Sequence, residues 1–262
     1  MNRLQKRFSE LKQKNEKAAV FFITAGDPSI EETLRIMTAL SNNHADVIEL
    51  GMPFSDPMAD GPVIQQSTAR ALQHNLHLDD IFKTVKLFRA QHETPVVLMG
   101  YFNPILRYGP EAFVRDAAAY GVDGFIIADV PFEEGEEFEQ TCRQHSMSLV
   151  YLLAPDIDPQ RTASILDASD GFVYVVAQYS TTGASSNGSV RPETIASLRK
   201  MTELPVCVGF GISSPEKARA YSEHADGVII GSWLIREMQK SENKAETAGQ
   251  IAQQVKQAVQ EK

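Results

Sequence analysis

The chain reads as an α/β protein, a (β/α)8 TIM barrel, and three observations lead there. Eight short apolar runs recur along 262 residues, each leading into a stretch with helix signals. None of these runs alternates with polar residues, so each is expected to be buried on both faces, as parallel strands under helices are. Eight strand–helix units in about 250 residues is the size of a closed barrel. An open doubly wound sheet is the alternative. It would carry a Gly-x-Gly-x-x-Gly fingerprint at the first strand–helix turn, where Gly26-Asp27-Pro28 stands instead.

Leu4, Phe8 and Leu11 recur at helical spacing and predict an extra amphipathic helix ahead of the first strand. The strands follow at Val20-Phe21-Phe22-Ile23, Val47-Ile48-Glu49-Leu50, Val96-Val97-Leu98-Met99 and Gly124-Phe125-Ile126-Ile127-Ala128. Four more stand at Leu149-Val150-Tyr151-Leu152-Leu153, Phe172-Val173-Tyr174-Val175-Val176, Val206-Cys207-Val208-Gly209-Phe210 and Gly227-Val228-Ile229-Ile230. Pro28-Ser29, Asp158-Pro159 and Ser213-Ser214-Pro215-Glu216 place caps or prolines where helices should start. The second crossover is long and leaves room for an extra helix after strand 2, at residues 63–72. No linker, low-complexity tract or shift in composition divides the chain, so a single domain over residues 1–262 is expected.

A net charge of −9 disfavours nucleic acid or an anionic membrane as partner, because nothing offsets phosphate repulsion overall. The longest apolar run, residues 18–25, is interrupted by Thr24. It falls far short of the roughly 20 residues a spanning helix takes. Charged, helix-like sequence follows Met1, with no apolar signal core. Cys142 and Cys207 fall in a predicted helix and a predicted strand, which suits buried free thiols in a reducing cytoplasm.

Barrel chemistry is expected at the carboxyl ends of the strands. Histidine misses that rim: His44, His92, His145 and His224 precede strands, and His74 and His77 lie in the second crossover. A His-based metal site or triad is therefore not expected. No lysine ends a strand, so a Schiff-base aldolase lacks its nucleophile. Carboxylates remain at the rim: Asp27, Glu49, Asp56, Asp60, Asp129 and Asp156. Asp27 and Asp156 adjoin prolines and read as turn caps. Glu49 alone lies within a strand end, where burial would raise its pKa. Behind it runs a loop braced by Pro53, Pro57 and Pro62, and such a loop holds its side chains in place.

Glycines form a second cluster. Gly183, Gly188, Gly209, Gly211 and Gly231, with Ser232, follow strands six, seven and eight, and two of these loops lead straight into helices. Glycine lets main-chain amides approach a phosphate, and helix N-termini favour anions. No lysine or arginine is required for this. Together the residues imply a small phosphorylated molecule handled by acid–base catalysis, without metal or covalent intermediate.

Taken together, these segments resemble the alpha subunit of tryptophan synthase. The matching motifs are Phe22-Ile23-Thr24-Ala25-Gly26-Asp27-Pro28, the block at residues 49–65, Asp129-Val130-Pro131, Thr182-Gly183, Gly209-Phe210-Gly211-Ile212-Ser213 and Gly231-Ser232. The resemblance implies a lyase that cleaves indole-3-glycerol phosphate to indole and glyceraldehyde 3-phosphate in tryptophan biosynthesis. It puts the catalytic pair on Glu49 and Asp60. It puts Phe22, Ile64 and Phe210 against the indole ring, Tyr174 beside Glu49, and the backbone of Gly183, Gly211, Gly231 and Ser232 around the phosphate. The loop after strand six departs from the family pattern Ser-Arg-x-Gly-Val-Thr-Gly, reading Ala177-Gln178-Tyr179-Ser180-Thr181-Thr182-Gly183. Thr182-Gly183 is kept, which suits phosphate contact and closure onto Asp60.

The resemblance also implies a partner, a pyridoxal-phosphate β subunit that receives the indole in an αββα heterotetramer. No cofactor is then expected in this chain. Pro53, Phe54 and Asp56, with the loop after strand six, are the expected docking surface.

Overall fold

The computed structural model describes residues 1–154, 158–176, 191–209 and 211–261. The chain opens with α1 (Arg3–Lys14), β1 (Ala18–Thr24), α2 (Ile30–Asn42) and β2 (Val47–Gly51). Two helices follow, α3 (Pro62–Leu72) and α4 (Leu78–Arg89), then β3 (Val96–Gly100), α5 (Phe102–Tyr108), α6 (Pro110–Tyr120) and β4 (Gly124–Ile127). Next come α7 (Glu136–Gln144), β5 (Ser148–Leu149), β6 (Leu152–Leu153), α8 (Pro159–Ala168) and β7 (Val173–Val176). The chain ends with α9 (Pro192–Met201), β8 (Val206–Gly209), α10 (Pro215–Ser222), β9 (Gly227–Ile230), α11 (Ser232–Lys240) and α12 (Lys244–Gln260).

Among the described residues every strand pair is parallel, in the order β5-β4-β3-β2-β1-β9-β8-β7-β6. The two ends of the sheet, β5 and β6, are separated in the chain only by Val150 and Tyr151. They are halves of the expected fifth strand, so chain continuity brings the ends of the curled sheet together. The split corrects the expectation of one strand through residues 149–153. Backbone bonding continues at its edge, where the Val150 N–H donates to the Phe125 carbonyl at 2.9 Å.

The extra helices stand where the sequence puts them, α1 at the N-terminus and α3 after β2. Caps agree too: Ser29, Asp158 and Ser214 each accept hydrogen bonds from first-turn amides of α2, α8 and α10. The third crossover holds two helices, α5 and α6, separated by Gly109 at φ +95°. Among the described residues no helix is long and apolar enough to cross a membrane.

The amino-terminal end of the sheet is held by buried ion pairs. Leu4, Phe8 and Leu11 of α1 are buried against the strands. Arg7 of the same helix and Lys256 of α12 reach the fully buried Asp46 at 3.0 and 2.9 Å. Asp123 is bound by Arg89 at 2.6 Å and accepts from the Val96 N–H at 2.9 Å. These charges fasten the stabilising end of the barrel. The opposite end is left to do chemistry.

Candidate active site

Inside a barrel, every second residue of a strand points inward, so a layer is built from side chains of several strands. Phe22 of β1 lies in register with Glu49 of β2. With Met99 of β3, Tyr174 of β7 and Ile229 of β9, they line one cavity of about 220 Å3. Asp60, Gly61, Pro62, Val63 and Ile64 wall another side, and Gly211, Ile212, Gly231, Ser232 and Arg236 complete it.

Glu49 is fully buried. Neither of its carboxyl oxygens has a hydrogen-bond partner among the described residues. An ionised carboxylate in that position would be unsolvated, and burial accordingly pushes its pKa up to about 8. Glu49 is therefore mostly a neutral acid at neutral pH.

Asp60 is half-buried just ahead of α3. Burial raises its pKa to about 6, and a hydrogen bond from Tyr101 works against that rise. The Tyr101 hydroxyl also accepts from the Ala59 N–H at 3.0 Å, so one phenol fixes two consecutive loop residues. One cavity thus holds an acid that stays protonated near pH 7 and an acid that ionises there. Pairs whose surroundings separate their pKa values in this way can give and receive protons at one pH.

The cavity wall also includes two glycines and the start of a helix. Gly211 has φ +76°, a left-handed conformation that glycine adopts without strain. Gly231 precedes the first turn of α11 and supplies no side-chain cap. The first amides of that helix have no intrahelical acceptor and carry the positive end of its dipole. This arrangement accepts an anion.

Of the carboxylates expected at the rim, Glu49 and Asp60 come together in the cavity, and among the described residues Asp27, Asp56 and Asp129 do not line it. Asp27 holds Arg70 through both carboxyl oxygens, at 2.8 and 2.7 Å, where a turn cap was expected. A cation on α3 offers more than a local amide does. Asp129 accepts from the Phe102 N–H at 2.8 Å at the start of α5. Asp56 is exposed and accepts from Ser55. Phe22, Ile64, Tyr174, Gly211, Gly231 and Ser232 line the cavity. Asp156, Thr182, Gly183, Gly188 and Phe210 lie outside the described residues.

Sequence reasoning missed Tyr101 and Arg236. Tyr101 directly follows the last residue of β3, and its place at a strand end was the available signal. Arg236 stands four residues after Ser232 on α11, the spacing that puts both on one helix face.

A family model described as tryptophan synthase alpha chain matches residues 8–262. A tryptophan synthase alpha chain from Thioalkalivibrio sulfidiphilus is 43% identical over 257 residues, covering 97% of both chains. Another, from Geotalea uraniireducens, is 44% identical over 238 residues, covering 90% of this chain and 89% of its own. Among solved structures, a Legionella pneumophila tryptophan synthase alpha chain superimposes with a TM-score of 0.90 at 37% identity, covering 99% of this chain and 97% of that one. A Mycobacterium tuberculosis tryptophan synthase structure gives a TM-score of 0.91 at 32% identity, covering 100% and 99%.

Proposed function

This chain belongs to the tryptophan synthase alpha-chain family, and from that premise we propose how its residues divide the work. The reaction is the retro-aldol cleavage of indole-3-glycerol phosphate to indole and glyceraldehyde 3-phosphate. Breaking that carbon–carbon bond requires C3 of the ring to gain a proton before indole can leave.

Glu49 begins as the neutral acid and gives its proton to C3. The ring becomes a cation with its charge shared by the N–H, which donates to the ionised Asp60. Glu49, now a carboxylate, takes the proton of the glycerol hydroxyl next to the ring. The O–H electron pair becomes the carbonyl, and the pair from the broken carbon–carbon bond returns to C3 and neutralises the ring. Glu49 ends protonated, as it began. A positioned acid–base group of this kind supplies roughly 10²–10⁴-fold.

Phe22 and Ile64 pack the indole, and Tyr174 flanks Glu49. The phosphate lies on the amides of Gly211, Gly231 and Ser232; the family resemblance adds Thr182 and Gly183 to the phosphate site and Phe210 to the indole site, and these three lie outside the described residues. The observation that carries this reading is a fully buried carboxyl, without a partner among the described residues, on the wall of a cavity that a helix N-terminus also lines.

Indole passes to a β subunit, and pyridoxal phosphate belongs to that subunit. No lysine lines this cavity among the described residues, so it offers no amine for a Schiff base. The assembly is an αββα heterotetramer in the cytoplasm, docked through Pro53, Phe54 and Asp56. The two buried, unpaired thiols, Cys142 and Cys207, suit a reducing compartment.

Indole release from the purified chain, beside Glu49→Gln and Asp60→Asn, tests the reading. Both substitutions should cut turnover by roughly 10²-fold or more. Release undiminished by either change rejects the assignment of that residue.

A further inference from the structure

Two of the side chains on the cavity wall are acids, and among the described residues only one is a cation, Arg236. Arg70, Arg199 and Arg219 each hold a carboxylate, on Asp27, Asp226 and Glu261. Arg236 has no carboxylate within ion-pair distance among the described residues, although it lies on a chain of net charge −9. It is exposed at the mouth of the cavity, on the face of α11 that also carries Ser232.

Main-chain amides orient a phosphate but bring no net charge. A dianion entering a cavity that already holds an ionised Asp60 meets repulsion that amides only partly offset. A guanidinium adds full charge and a planar fork of donors matched to phosphate oxygens.

We propose that Arg236 is a specificity-determining residue that selects phosphorylated indole substrates by pairing with the phosphate seated at the N-terminus of α11. The proposal rests on the reading that the phosphate lies at Gly211, Gly231 and Ser232. The arginine sits at the mouth, so its contribution is screened by salt and also draws the anion inward. Its effect therefore belongs in substrate capture, with the chemical step left to Glu49 and Asp60.

The test compares the parent chain with Arg236→Gln and Arg236→Lys. Cleavage of indole-3-glycerol phosphate and of unphosphorylated indoleglycerol is followed at low and high ionic strength. Arg236→Gln should raise KM for the phosphorylated substrate by roughly 10- to 100-fold. Its kcat should move by less than about threefold, the pattern of a lost ground-state contact. The preference for phosphorylated over unphosphorylated substrate, as a ratio of kcat/KM, should fall by the same factor. The rise of KM with salt should flatten, and Arg236→Lys should recover part of the loss. As a readout independent of turnover, inorganic phosphate should raise the melting temperature of the parent and much less that of Arg236→Gln.

A Gln variant with unchanged KM and unchanged phosphate stabilisation would overturn the role of Arg236 and leave the cleavage reading intact. A fall in kcat at constant KM would also overturn it, since that pattern marks a disturbed catalytic step. If the parent itself releases no indole, the reading beneath the proposal falls, and the proposal with it.

Discussion

The Tyr101 hydroxyl accepts from the Ala59 N–H at 3.0 Å and donates to the Asp60 carboxylate, tying the end of β3 to the loop that carries the second acid. That donation favours the ionised form of Asp60 and opposes the rise to about 6 that burial causes. Tyr101→Phe removes it, so the Asp60 pKa moves further up. The acid limb of kcat/KM should shift to higher pH, and the loss at pH 6 should exceed that at pH 7.5, reaching roughly tenfold. A pH–rate profile checks this. An acid limb that stays in place would show that it reports the substrate phosphate and not Asp60.

Burial of Glu49 makes a stability prediction with a definite sign. Its folded pKa of about 8 exceeds the ordinary 4.5, so the folded protein holds a proton that the unfolded chain releases. The stability this represents is whole below about 4.5 and is lost as pH rises through about 8. Glu49→Gln keeps the shape without the ionisation. It should match the parent near pH 4.5 and exceed it by a few kcal/mol, about 2–4, at pH 8.5. Denaturant unfolding at the two pH values measures the difference.

Gly51 ends β2, and a Cβ built there would lie 2.6 Å from Cζ of the Phe22 ring. Gly51→Ala must therefore displace that ring, which lines the cavity. We expect a KM increase of roughly 5- to 50-fold, the scale of one disturbed apolar contact. Steady-state kinetics, with a phosphate-only ligand as control for the proposed phosphate site, locate the defect.

The ring of Phe54 lies 5.6 Å from that of Tyr101. Phe54 follows β2 in the loop proposed to meet the β subunit, so pressure on that loop has a route to Asp60 through the Phe54–Tyr101 ring contact and the Tyr101–Asp60 hydrogen bond. Turnover should be weak for the isolated chain and faster with the partner. Phe54→Ala should reduce this acceleration by roughly tenfold and affect stand-alone turnover less. Indole release with and without saturating partner checks it, and equal turnover under both conditions would remove docking-driven closure from the account.

The strands were legible because runs such as Val47-Ile48 and Val96-Val97-Leu98 have nothing polar to offer solvent on either face. Glu49 was legible for the opposite reason, as a carboxyl where such a run leaves no water. The break between β5 and β6 had no signal, because Val150 and Tyr151 are as apolar as their neighbours. The short α5 was hidden by Pro104, which the first turn of a helix tolerates. Tyr101 reads in sequence like any core aromatic at a strand end. Arg236 reads like any solvated helix cation until Ser232 and the cavity show which face it occupies. The strand-end position of Tyr101 and the four-residue spacing of Arg236 from Ser232 are the local signals, and contacts between distant segments give them their roles.

On this mechanism Glu49 starts the reaction as a neutral acid. Titrating its carboxyl by carbon-13 NMR in the ligand-free protein, assigned with Glu49→Gln, decides the point. A midpoint of about 8 is expected. A midpoint near the ordinary 4.5 would leave Glu49 ionised at neutral pH, with no proton to give the ring, and would contradict it.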